Sequence, residues 1–171
     1  MPRTDLDFQF NRIEQLVSEM EAFVPPDLKG VAGFRADLAG LLVVTIAATY
    51  ESCVKETLVA YAGRHHLAFG TFATNHYKRL NSRISINDLH GYTGTFDDNV
   101  SARFKFLLEE RKRRIDTRIG KNIERAYKQM LSWRHDFAHA GVRNTTIEEA
   151  VLTHRLAKRV LYAFDDAFAG R

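Results

Sequence analysis

The stretch from Phe34 to about Tyr61 most constrains the fold, because its first half, Leu38 to Tyr50, is apolar nearly all round and contains no proline. A helix with one apolar stripe packs on one side, whereas a helix that is apolar around its circumference has to be surrounded by other elements. The run is bracketed by Asp37 and Glu51 and falls short of the ~20 residues that a membrane-spanning helix needs. It reads as the central helix of a bundle, with no membrane partner.

The rest of the chain supplies neighbours for it. Leu6, Phe10, Ile13, Leu16, Val17, Met20 and Phe23 recur at helical spacing and predict an amphipathic first helix that ends before Pro25-Pro26. A shorter helix is expected around Thr74 to Asn81, and Ser85 to Gly94 reads as a loop with at most one helical turn. Asp97 to Arg114 and Lys121 to Ala140 read as helices, with Gly141 placed as a left-handed cap for the second. Thr145 followed by Glu148 has the capping-box pattern and opens a last helix with the stripe Ile147, Ala150, Val151, Ala157, Leu161, Phe164 and Phe168. No repeat or second composition zone interrupts the pattern. The expectation is one all-α domain over residues 1–171, an antiparallel bundle of about five main helices.

Met1 to Leu6 has no long apolar stretch behind its basic residue and does not read as a secretory signal; a cytoplasmic location is expected. The single cysteine, Cys53, lies in an apolar run and reads as a small buried hydrophobe. Net charge is +4, which permits nucleic-acid binding without demanding it. The distribution says more: ten basic residues between Arg103 and Lys128 are opposed locally only by Glu109, Glu110, Asp116 and Glu124. Such a run forms either a solvated helix face or an RNA-facing surface.

Two segments place four to six residues between an arginine and a following histidine: Arg134 to His139 and Arg83 to His90. About two such matches arise by chance in a chain with this many arginines and histidines, so spacing alone decides nothing. Context separates them. Arg83 to His90 runs through the segment read as a loop, whereas Arg134-His135-Asp136-Phe137-Ala138-His139 occupies the last turns of a helix before Ala140-Gly141.

That arrangement resembles the HEPN superfamily, in which the arginine is followed by a polar residue and the histidine sits near the helix end. The run Leu41 to Glu56, apolar and then carrying Glu51 and Glu56, is similar to the long second helix of HEPN branches. Roughly residues 34 to 169 share the likeness, which points to the RiboL-PSP-associated and MAE-type branches. The resemblance implies a metal-independent ribonuclease without cofactor, acting as a homodimer whose motifs face one another. It implies further that such a protein serves as the toxin or effector of a toxin–antitoxin or phage-defence system, restrained by an antitoxin or regulatory protein.

The chemistry can be read from the residues themselves. RNA is cleaved without metal when a base deprotonates the 2′-hydroxyl, that oxygen attacks the adjacent phosphorus, and cationic donors stabilise the phosphoryl charge. Histidine changes protonation near neutral pH, and arginine offers a planar fork of donors to phosphate. Arg134, His139 and His135 are therefore the candidate catalytic residues, Asp136 and Glu51 the supporting ones, and Lys121, Arg125, Lys128 and Arg143 the candidate RNA-binding cations. Five residues at about 100° each turn Arg134 and His139 roughly 140° apart, so either the last turn is distorted or the site wraps the helix tip between two copies.

Three alternatives stay open at this point. His135 and His139 have the spacing of two metal ligands on one helical face, with Asp136 as base and His154 the nearest third ligand. His154 also reads as a core histidine. Arg134 continues the stripe Ile123, Tyr127, Met130 and could instead be a structural arginine paired with Glu51 in a helical interaction protein, or the same helix end could grip RNA or a nucleotide without cleaving it. Trp133 and Tyr92 are the candidates for base stacking.

Overall fold

The computed structural model describes residues 3–78, 80 and 83–170. Seven helices follow in order: α1 (Arg3–Phe23), α2 (Ala32–His65), α3 (Leu67–His76), α4 (Ile86–Phe96), α5 (Asp98–Ile119), α6 (Ile123–Ala140) and α7 (Ile147–Ala169). Among the described residues there is no strand, so the all-α reading holds with two more helices than expected.

The apolar run becomes part of α2, which packs against α1, α3, α6 and α7. Leu42, Val43, Ile46, Tyr50, Val54 and Leu58 are buried along it, and one continuous core takes side chains from all seven helices. By length and composition alone α2 could cross a membrane; here one flank is buried in the bundle, while Leu41, Thr45, Ala48 and Ser52 stay exposed. The second central helix is α7, buried from Val160 to Phe168. Three arginines serve its C-terminal end, where unsatisfied carbonyls attract cations: Arg64 donates to Phe168 O at 3.0 Å, Arg103 to Ala167 O at 2.6 Å, and Arg111 pairs with Asp166.

Two expectations about the middle of the chain are corrected. The segment read as a loop is α4, eleven residues long, because Ser85 and Asp88 close a reciprocal capping box and Ile86, Leu89 and Thr93 bury one face on α5. Gly91 and Gly94 suggested a loop but sit where no side chain is needed, with nothing near either position. The helix expected at Thr74 to Asn81 lies earlier, as α3, capped by the His66 side chain; Arg79 and Asn81 lie outside the described residues. The capping box of α7 is Thr146 with Glu149, one residue on from the expected Thr145 and Glu148. Both frames satisfy the pattern, but burial of Ile147 in the first turn selects the later one and leaves Glu148 to pair with Arg35 at 2.5 Å.

Candidate functional site

The seam between α2 and α6 carries the motif. Tyr127 stacks on Tyr50 with rings 5.5 Å apart and almost parallel, and its hydroxyl donates to Ile84 O at 2.8 Å. Seven residues, or two turns, beyond Tyr127 on the same face comes Arg134. One residue beyond Tyr50 comes Glu51. Arg134 Nη2 and Glu51 Oε1 stand 3.8 Å apart, and both side chains keep about a quarter of their surface, 27% and 26%. The pairing weighed from sequence exists, but it is long and partly wetted rather than a buried ion pair.

Further along the seam Phe137 lies on the backbone of α2. An added Cβ at Gly40 would fall 2.0 Å from Phe137 Cε2, so α6 reaches its position only because residue 40 has no side chain. The tip of α6 is then fixed by its connection to α7. Gly141 takes the left-handed conformation, φ 62°, that a Cβ disfavours, and its N–H donates to the carbonyls of Asp136 and Phe137. Asn144 Nδ2 donates to Asp136 Oδ2 at 3.0 Å, and Arg143 grips Asp37 at the start of α2 with bonds of 2.6 and 2.8 Å.

These contacts sort the candidates. Asp136 holds the α6–α7 connection, and Arg143 is engaged with a carboxylate, so its role as an RNA-binding cation requires that pair to open. His135 and His139 are both exposed, with ring centroids 4.5 Å apart. The helix is regular through Ala140, which removes the distorted last turn: Arg134 leans toward α2 while the two histidines face outward.

Lys121, Arg125 and Lys128 are exposed. Arg125, Lys128, Ser132, His135 and His139 follow one another at alternating steps of three and four and form one outward stripe leading to the motif. An open hollow lined by Asn122, Arg125, Lys128 and Ser132 lies along it. The basic residues of α5 behave otherwise, several being engaged within the chain: Arg103 and Arg111 at the end of α7, Lys112 with Glu109 and Glu124, Arg114 with Glu110.

His154 is no partner for the histidine pair. It is fully buried, with Nδ1 2.9 Å from the Tyr50 hydroxyl and its ring against Phe10. Among the described residues no group of three or more His, Cys, Asp or Glu gathers where it could hold a metal ion. His90, in the second arginine–histidine match, packs on Phe104 at 4.8 Å. Of the two stacking candidates, Tyr92 donates to Arg83 O at 2.8 Å, and Trp133 packs partly buried against the core. Cys53 is buried, and burial pushes its thiol well above the usual range, as expected of an inert cysteine.

The motif histidines stand exposed at a helix tip, an arginine flanks them on the α2 side, and the family model for RiboL-PSP-HEPN matches residues 5–170. The chain belongs to the HEPN family. Searches of characterised proteins and of solved structures gave no significant match. HEPN domains are typically ribonucleases, so membership points to an RNA-related role for the chain. Sequence reasoning missed Gly40, Asp37 and Asn144, whose roles depend on partners in other segments.

Proposed function

We propose that this HEPN protein is a metal-independent endoribonuclease. The observation that carries the reading is the tip of α6, where His135 and His139 lie side by side and exposed at the end of a basic stripe, with Arg134 on the adjoining face. His139 takes the proton of a 2′-hydroxyl, and that oxygen attacks the adjacent phosphorus. The P–O5′ bond breaks, the leaving oxygen receives a proton with His135 assisting, and the products carry a 2′,3′-cyclic phosphate and a 5′-hydroxyl. An arginine fork stabilises the charge on the phosphoryl oxygens. Because Arg134 and His139 diverge on one helix, the phosphate sits between two copies of the chain, and the working form is a homodimer. Arg125, Lys128 and Lys121 hold the flanking strand. The family likeness supports a role as the toxin or effector of a toxin–antitoxin or phage-defence system, restrained by a partner protein.

The Arg134–Glu51 pair favours one second reading, a HEPN-like module that binds RNA with Arg134 serving the fold. One experiment decides. Labelled RNA is incubated with the purified protein in excess EDTA. Cleavage to cyclic-phosphate ends is expected, slowed about 10²–10⁴-fold in His139→Ala and lost in a folded Arg134→Ala. At 3.8 Å and partly wetted, the Glu51 pair resembles an exposed pair, worth about 0–1 kcal/mol, rather than a buried one, so Arg134→Ala should still unfold cooperatively. RNA bound but never cut supports the second reading. Activity lost on chelation and restored by zinc points to a metal hydrolase.

A further inference from the structure

His135 and His139 are four residues apart on a helix that is regular through Ala140, so their rings leave the same face one above the other. No other two of the seven histidines stand three or four residues apart. Both rings are exposed, their centres are 4.5 Å apart, and their planes are inclined by 49°. Among the described residues no hydrogen bond or ion pair holds either ring. That separation has a chemical meaning. Two imidazoles that bind one ion through nitrogens at about 2.0–2.1 Å have their ring centres about 4.5 Å apart when the ligands meet at a right angle, and about 5.2 Å apart at the tetrahedral angle. The pair therefore needs little more than rotation of two side chains to close on an ion. Its backbone is already held: Phe137, between the two histidines in sequence, rests on α2 at Gly40, and the Gly141 cap fixes the turn that follows.

We propose that His135 and His139 form a two-ligand chelating site for a divalent ion of the copper, nickel or zinc class, and that an ion bound there stops RNA cleavage. The stop rests on the nuclease reading above; binding of the ion does not. Imidazole suits these ions, whereas Mg2+ and Ca2+ prefer oxygen ligands. Because no group of three or more His, Cys, Asp or Glu is gathered here among the described residues, water completes the coordination. The short, exposed side chains of Ser132 and Ala138, three residues to either side of His135, leave room for it. Half the ligands of a four-coordinate structural site give roughly half its binding free energy, hence a dissociation constant between about 1 and 200 µM, tightest for Cu2+. Inhibition follows from the chemistry of the ring. A neutral imidazole has one nitrogen with a free lone pair, and once that nitrogen is ligated the other carries hydrogen. A ligated His139 accepts no proton from a 2′-hydroxyl, whichever nitrogen faces the RNA. The ion adds positive charge at the end of the basic stripe, so the phosphate strand stays bound and the step that fails is proton transfer.

The test uses the untagged full chain. Calorimetric titration with ZnCl2 in the absence of RNA should show one ion per chain in that range of affinity, and Mg2+ should not bind. His135→Ala and His139→Ala each leave a single ligand, so each should weaken zinc at least about tenfold with helical content unchanged. Ni2+ should quench the fluorescence of Trp133, two residues before His135 and the only tryptophan, in wild type and not in either variant at the same concentration. In cleavage assays zinc at saturation should lower kcat at least about tenfold without raising KM, and EDTA should restore the rate. A wild type that takes up no zinc below about 1 mM, or two variants that bind it as wild type does, overturns the site. Zinc that binds through both histidines while cleavage continues at its former rate, or rises, overturns the inhibition. A protein that binds zinc through both histidines but cuts no RNA in EDTA establishes the site and removes the nuclease reading, and the inhibition with it.

Discussion

A histidine sealed in a helical core is compatible with the fold only while it stays neutral. His154 is fully buried, and burial first, then the nearby Lys158, push its pKa down to about 3 against the opposing pull of Glu14. Burial also pushes the Tyr50 phenol up, so it remains protonated opposite Nδ1. In the unfolded chain a histidine takes up its proton near pH 6.5. Between about 6.5 and 3 the unfolded state therefore binds one more proton than the folded state, and stability falls as pH falls through that window. The contribution is intact above about pH 6.5 and declines by on the order of 1.4 kcal/mol per pH unit below it. Urea denaturation at neutral pH and near pH 5 should show wild type losing on the order of 2 kcal/mol. A Tyr50→Phe, His154→Leu double variant, which leaves no phenol unpaired, should be much flatter; an undiminished slope would assign the effect to other groups. Sequence separates the two kinds of histidine well, since His154 shares a stripe with Ala150, Val151 and Ala157 whereas His139 precedes a glycine cap on a polar face. It cannot separate a free cation from an engaged one. Arg143 and Lys128 look equivalent until Asp37, 106 residues away from Arg143, is seen to hold the first.

At the scale of elements, the placement of the motif depends on the crossing of α2 and α6 at Gly40. Alanine there would gain up to about 1 kcal/mol of helix propensity. It would also drive a methyl group into the Phe137 ring, and overpacking of this kind costs about 1–3 kcal/mol. Gly40→Ala is expected to lower stability by on the order of 1 kcal/mol and to slow RNA cleavage, because α6 moves together with Arg134. Adding Phe137→Leu should recover thermal stability, whereas a neutral Gly40→Ala would show that the ring swings aside freely. The helices legible in the sequence were those with long apolar periodicity: α1, α2, α5, α6 and α7. The short ones were misread for physical reasons. α4 is held by a capping box and three buried side chains rather than by propensity, and its two glycines mimic a turn. α3 follows α2 after a one-residue break at His66, where no proline or glycine announces the boundary. Nor could the α2–α6 seam be read in advance, because Gly40 acquires its meaning only from Phe137 in another helix.

For the whole molecule, the regular end of α6 poses a geometric problem that one chain does not solve: an arginine and a histidine of one motif point to different sides of the same helix. In a two-fold dimer with composite sites, each phosphate takes Arg134 from one chain and His139 from the other. That arrangement has a quantitative signature. Arg134→Ala and His139→Ala are each inactive as homodimers, because every site lacks one group. A heterodimer of the two has one site with both groups missing and one site with both present, its Arg134 supplied by the His139→Ala chain. Equal amounts that exchange freely give about half heterodimers, each with one working site of two, so the mixture should regain about a quarter of wild-type cleavage. If both groups act within one chain, no chain in the mixture holds the pair and activity stays at background.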